Sequence, residues 1–200
     1  MFSGGLDSTA MLVKLLTETR DDLRVHHVRM LNRERRAPAE QAAVDSIVAW
    51  CGSRYRPFRY SESGLDFADL EAIPIDFLSI AYVACQVAID TPQCTRIAVG
   101  TLARDLDEVK RSVSAAQRRV FKTMYEVYRA RKVGEESIEW IYPVYELSKA
   151  QVALVLAPEL RALTWSCRRP VATRSGYRIC GTCKPCRFRG EVAAALQISL

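Results

Sequence analysis

No apolar run in the chain is long enough to cross a bilayer. The longest, Ile73 to Ile89, carries Asp76 and Gln86 and falls short of the about 20 apolar residues that a span requires. It reads as a buried helix, and no membrane partner is expected. The N-terminus lacks the charged region, apolar core and small-residue cleavage site of a secretory signal. Internal repeats and low-complexity tracts are missing too, so neither a repeat array nor a polar linker is expected. An even spread of cysteines, as in a disulfide scaffold, is also lacking: of the seven, four fall between Cys167 and Cys186. Clustered metal ligands in a reducing cytoplasm fit that distribution better.

What is present is enough chain for one substantial core. With 200 residues, 49% hydrophobic and 26% charged, one domain with an appendage is expected. The net charge of +6 and pI near 9.0 favour anionic company: nucleotide phosphates, a carboxylate or nucleic acid.

Helical and extended patterns alternate. Helix formers run from Thr9 to Glu18, a valine-rich strand from Leu23 to Met30, and a Pro38-led helix to Trp50 with Val44, Ile47, Val48 and Cys51 at helical spacing. A helix over 76–90, a short strand Arg96 to Gly100 and a long charged helix over about 105–131 follow. A strand is expected from Ile138 to Val144, then Ser148 to Gln151 as a capping box before Val152 to Leu156. Such alternation implies an α/β fold, a doubly wound parallel sheet with helices on both faces. Composition shifts only near residue 165.

Two strings carry chemistry. Ser3-Gly4-Gly5-Leu6-Asp7-Ser8, running into Thr9, is an anion cradle. Adjacent glycines let backbone N–H groups approach a phosphate, hydroxyls add donors, and the helix N-terminus points its positive end there. Asp7 would hold Mg²⁺ against those phosphates. Only Met1 and Phe2 precede the loop, where a buried strand is usual. The second string is Cys167, Cys180, Cys183 and Cys186, spaced C-x12-C-x2-C-x2-C, with Gly181 and Pro185 aiding tight turns. Four thiolates so spaced suit a structural tetrahedral Zn²⁺; an iron–sulfur cluster uses the same ligand type, and buried free thiols are the bland alternative. Cys51, Cys85 and Cys94 read as core residues.

The loop resembles the SGGxDS signature of the PP-loop ATP pyrophosphatases, which cleave ATP between the α and β phosphates and pass AMP to a substrate oxygen. Loop and cysteines together resemble the 7-cyano-7-deazaguanine synthase family of the queuosine pathway. There the tail reads as a Cys followed by CGxCxxCxxR, as here with Thr164 to Cys167 and Cys180 to Arg189. Pro143, Ser148, Lys149 and Ala150 are similar to the family's segment before its last helix, and Val25 to Val28 to its adenine-contacting strand.

The resemblance implies ATP, Mg²⁺ and Zn²⁺ as cofactors. It assigns Ser3, Asp7 and Ser8 to catalysis, and Ser3 to Thr9 with Val28 to the nucleotide; Arg33, from the charge run after the strand, is added as a candidate phosphate contact. It divides the chain into an ATP-binding domain, 1–145, and a helical segment with the zinc knot, 146–200. It also implies the reaction: adenylation of the carboxylate of 7-carboxy-7-deazaguanine, ammonia displacing AMP, and a second activation that dehydrates the amide to a nitrile. Homodimers are common in the family.

Three specificity segments depart from the pattern: Leu31 to Arg36, Ile73 to Asp76 and Asp105 to Ser112. A diverged relative stopping at the amide, or joining the acid to an amine, is therefore the second reading. RNA thiolation, favoured by basicity, is third, with nucleic acid not the favoured partner; an inert scaffold is fourth. Arg33, Arg35 and Arg36 could bind ATP phosphates or an acidic substrate, though a charge run is more often a solvated loop; Asp105, Asp107 and Glu108 could hold metal or read a base edge, or equally balance Lys110 and Arg111; Trp165 reads as packing the knot rather than stacking a base. His26 and His27 are expected to face opposite sides of a strand, one inward and one outward.

Overall fold

The structure is a computed structural model, described for residues 1–73, 75–91, 93–103 and 138–198. The charged helix expected over 105–131 and the acids Asp105, Asp107 and Glu108 lie outside the described residues. Twelve elements are described: α1 (Leu6–Glu18), β1 (Arg24–Leu31), α2 (Ala37–Gly52), β2 (Arg59–Asp66), α3 (Asp76–Asp90), β3 (Arg96–Ala98), β4 (Glu139–Ile141), α4 (Lys149–Val155), α5 (Pro158–Leu163), β5 (Val171–Thr173), β6 (Gly176–Arg178) and α6 (Lys184–Leu196).

The architecture is mixed α/β. β1 pairs with β2 in parallel, from Arg24 opposite Arg59 to Leu31 opposite Asp66, with α2 as the crossover. β3 and β4 form a second parallel pair, and β5 and β6 an antiparallel hairpin. The first two residues lie between the parallel pairs. Phe2 bridges His27 and donates its N–H to the His26 carbonyl at 2.8 Å, while the Met1 amine donates to the Ala98 carbonyl at 2.7 Å.

Strand β1 is covered on both sides. Val25 joins the main core with Phe2, Met11, Leu12, Val44 and Ile47; Val28 and Met30 pack with Val83 of α3. Both histidines are consequently inside, His26 at 4% exposure and His27 at 2%, which corrects the expectation that one faces outward. His26 bonds Ser61 at 2.9 Å and Ser63 at 3.0 Å across the ladder, and His27 Nδ1 bonds the Phe2 carbonyl at 3.0 Å. Burial, first among the causes, lowers both pKa values, that of His26 to about 4.

Helix α3 forms where expected but is buried on one face only. Ala81, Val83, Ala84, Cys85 and Ala88 are covered while Tyr82 and Ile89 are exposed. The capping box of α4 is complete: Ser148 Oγ accepts from the Gln151 N–H at 3.2 Å, and Gln151 Oε1 from the Ser148 N–H at 2.8 Å. This helix packs on α1, and its Val152 and Ala153 join the main core with Leu160 and Val192. No described helix is long and apolar enough to cross a membrane.

Candidate functional site

The loop between Phe2 and α1 is shaped by its neighbours' backbone. Gly4 has φ +70°, in the left-handed region, and a Cβ there would lie 2.9 Å from Val44 Cγ2 of α2. Glycine is thus required twice, by conformation and by packing. From the other side Gly100, just past β3, meets the first turn of α1. A Cβ on it would sit 2.7 Å from Ser8 Cα and 2.8 Å from Ser8 N. A lone glycine at a strand end signals such an approach, yet its role was not read from the sequence.

Inside the loop the hydroxyls are tied together. Ser3 Oγ lies 3.0 Å from Ser8 Oγ, Ser8 Oγ also accepts from the Ser3 N–H at 3.2 Å, and the Gly5 N–H donates to Ser3 Oγ at 3.4 Å. The N-cap, Gly5, makes no side-chain bond to α1. The first-turn N–H groups of α1 lack intrahelical acceptors, so the helix offers donors and positive potential to an anion. Asp7 lies in that turn and is ion-paired with Lys149, the first residue of α4. A lysine beside an acid at the lip of an anion cradle could take a phosphate oxygen in exchange for the carboxylate when a metal ion takes the acid.

The other expected nucleotide contacts are distributed unequally. Leu6 is buried in the core and offers the loop only its backbone. Thr9 is fully buried, its hydroxyl donating to the Gly5 carbonyl at 2.9 Å. The Val28 side chain packs with Met30 and Val83. Arg33 is exposed and pairs with no acid among the described residues, as is Arg35.

Arg36 departs from the expected solvated loop. It is 9% exposed and binds Asp76 at 2.6 Å, Glu34 at 3.0 Å and Glu40 at 3.2 Å. Arg168 completes the group, reaching Glu34 at 2.6 Å and Asp76 at 3.3 Å. Burial, the leading cause, raises the Glu40 pKa. Sequence separation concealed this network, whose members come from residues 34 to 168.

The four cysteines converge. Their Sγ atoms all lie within 4.8 Å of one another, with Cys180 to Cys186 at 4.0 Å. A single tetrahedral ion with metal–sulfur bonds of about 2.3 Å would hold its sulfurs about 3.8 Å apart, so modest contraction suffices. A four-iron cubane sets its thiolates on a much larger tetrahedron, because a metal atom stands between the centre and each sulfur. The donor set therefore fits one ion. Backbone N–H groups of Cys183 and Thr182 lower the Cys180 pKa to about 6, while burial raises Cys167 and pushes Cys186 up to about 12. One thiolate is favoured by the backbone; a cation would favour the rest.

Knot and loop are joined by the segment 164–168. The Trp165 N–H donates to the Gly4 carbonyl at 2.9 Å, and its indole Nε1 donates to the Cys167 carbonyl at 3.0 Å. Arg189 holds the Thr164 carbonyl at 2.8 Å and its hydroxyl at 3.0 Å. Trp165 thus packs at the knot as expected and also closes the loop. The remaining cysteines are elsewhere: Cys51 is fully buried, its pKa raised to about 11 by burial, Cys85 is buried in α3, and Cys94 bonds the Arg96 carbonyl before β3.

No protein-family model matches the chain, and no curated protein matches it either. Among solved structures, it resembles the U34-tRNA thiolase NcsA from Methanococcus maripaludis with its 4Fe-4S cluster, at a TM-score of 0.52 and 18% identity. The match covers 98% of this chain and 63% of that one. The chain therefore shares the α/β fold of that thiolase and spans just under two thirds of its length.

Proposed function

We propose that this protein is a PP-loop enzyme that cleaves ATP between the α and β phosphates and transfers AMP to an oxygen of a nucleobase-type substrate. The observation that carries the reading is the loop: Gly4 in the left-handed region, two linked serine hydroxyls and an open helix N-terminus in one turn. The acceptor oxygen attacks the α-phosphorus and pyrophosphate departs. A nucleophile then takes the activated carbon, and AMP leaves with the oxygen. Adenylation supplies a good leaving group; the protein orients the reactants and neutralises phosphate charge.

In this reading Ser3, Ser8 and the backbone of Gly4 to Asp7 hold the phosphates, Asp7 recruits Mg²⁺, and Lys149 exchanges its carboxylate partner for phosphate. The cysteines hold a structural Zn²⁺. Two acceptors are in view. Sequence similarity favours the carboxylate of a 7-carboxy-7-deazaguanine-type base, captured by ammonia or an amine, a step that requires no protein thiol. Fold similarity to a tRNA thiolase favours a base within tRNA.

The deciding assay supplies zinc-loaded protein with MgATP and either 7-carboxy-7-deazaguanine plus ammonia or a tRNA transcript plus ammonia or sulfide. Mass spectrometry reads nucleotide and base products. AMP and pyrophosphate with a modified base are expected, and Asp7→Ala should abolish both. ADP and phosphate as products, or AMP release unaffected by Asp7→Ala, would sink the proposal. Nitrile, amide or thiolated base would name the acceptor.

A further inference from the structure

The positive charge of the molecule is not spread over it. Residues 1–163 hold 22 Lys and Arg against 22 Asp and Glu, a balance of zero. Residues 164–200 hold seven against one, so the entire +6 belongs to the tail. Of those seven, Arg168 is paired with Glu34 and Asp76, and Arg189 holds Thr164. Arg169, Arg174, Arg178 and Arg187 are exposed and paired with no acid among the described residues.

The β5–β6 hairpin carries two of these groups, Arg174 and Arg178, and Arg169 stands two residues before it. It fills the gap between Cys167 and Cys180, so the first two metal ligands clamp its base. Thr173 stands opposite Gly176, leaving Arg174 and Ser175 as the turn, with Gly176 at φ +130°. Every residue from Ala172 to Ile179 is exposed, including Tyr177 at 41%. A two-stranded ribbon that buries so little cannot be stable alone. Its base is held where the four cysteines converge rather than by a core, which points to a presenting role.

We infer that this hairpin and the exposed arginines flanking it bind an unpaired stretch of RNA. Arginines 169, 174, 178 and 187 would contact successive phosphates, and Tyr177 would stack a splayed base, the combination by which single strands are held. A membrane surface would want a broad apolar face beside the cations, where the hairpin region exposes only Tyr177 and Ile179 as large hydrophobics, and duplex DNA would leave Tyr177 without a base to stack. Trp165, bonded to Gly4, roots the tail at the phosphate loop, so RNA held here is tethered beside the reacting nucleotide. That last role rests on the proposed adenylation; the binding itself does not.

The test is fluorescence anisotropy of the full, zinc-loaded chain with a short labelled single-stranded RNA, without ATP, over a range of salt. Affinity should fall as salt rises, by roughly 0.7 log units per tenfold salt for each phosphate contacted. Arg174→Ala with Arg178→Ala should weaken binding at least tenfold and flatten that slope. Tyr177→Ala should weaken it roughly tenfold with the slope kept, and Tyr177→Phe should restore it. Zinc content and circular dichroism establish that each variant is folded; the paired variant Arg20→Ala with Arg54→Ala, in the charge-balanced body, should bind as wild type. Hairpin variants that are folded yet bind RNA like wild type would overturn the inference. So would equal affinity for duplex DNA, or capture by phosphatidylserine vesicles in preference to RNA. Loss of AMP release with RNA binding intact would remove the adenylation and leave this surface; the converse would do the opposite.

Discussion

The phosphate loop and the cysteine knot reach rigidity by opposite means. The loop is made of small residues held by close backbone packing, with Gly4 under Val44 and Gly100 against Ser8. Its shape survives only where side chains are missing. The knot is the reverse: a cation-rich segment with few core residues, whose geometry depends on four side chains meeting at one point. A packed turn fails when an atom is added, a coordinated one when an atom is removed. Segment 164–168 links them, so damage to the knot is expected to reach the loop, whereas damage to the loop should stop short of the metal.

The sharpest way to break that asymmetry is Cys186→Ser. Structural zinc contributes on the order of 10 kcal/mol to the folding of small metal-bound units. The variant should therefore lose its metal, and amide exchange across 167–196 should become fast. Residues 3–8 should also lose protection and MgATP affinity. A loop that keeps full affinity in the metal-free variant would dissolve the proposed linkage.

A smaller effect is expected from Gly100→Ala. Its methyl would meet backbone atoms of Ser8, which cannot rotate away. Overpacking of this kind costs about 1–3 kcal/mol, read as a fall in the urea midpoint at unchanged slope. MgATP binding should weaken while metal content stays at one ion per chain. Loss of metal in this variant would show that strain runs in both directions.

The smallest effect concerns pH. His26 has its pKa lowered from 6.5 to about 4 in the folded chain, so the unfolded chain binds the extra proton between those values. Stability is then complete above pH 6.5 and declines as pH falls toward 4. His26→Gln should flatten that limb in thermal melts while leaving the region above pH 7 little changed. Because His26 lies in β1 and touches neither loop nor knot, an equal pH response in the variant would move the titration elsewhere.

The sequence made both chemical strings legible because each is local: six successive residues for the loop, and cysteines whose spacing encodes one point in space. Most of the described helices were legible for the same reason, since apolar spacing in α1, α2 and α3 and the Ser148–Gln151 box are properties of short windows. Strand β2 escaped notice because Arg-Tyr-Ser-Glu-Ser-Gly-Leu-Asp carries no strong β pattern and is held by pairing with β1. The histidines were misplaced because alternation predicts which face a residue takes, not whether both faces are covered. Arg36 and Arg168 were hidden by distance along the chain: their acids, Glu34, Glu40 and Asp76, become partners only after folding.

The bond from Trp165 to Gly4 has a consequence for how the protein is made. The loop leaves the ribosome about 160 residues ahead of Trp165, and at about 5–20 residues per second its closing partner emerges many seconds later. During that interval the nascent chain holds the cradle's string without its clasp, so nucleotide binding of the kind proposed would wait for the tail to fold. Under the proposed function, metal supply during synthesis would set when a new copy first engages ATP.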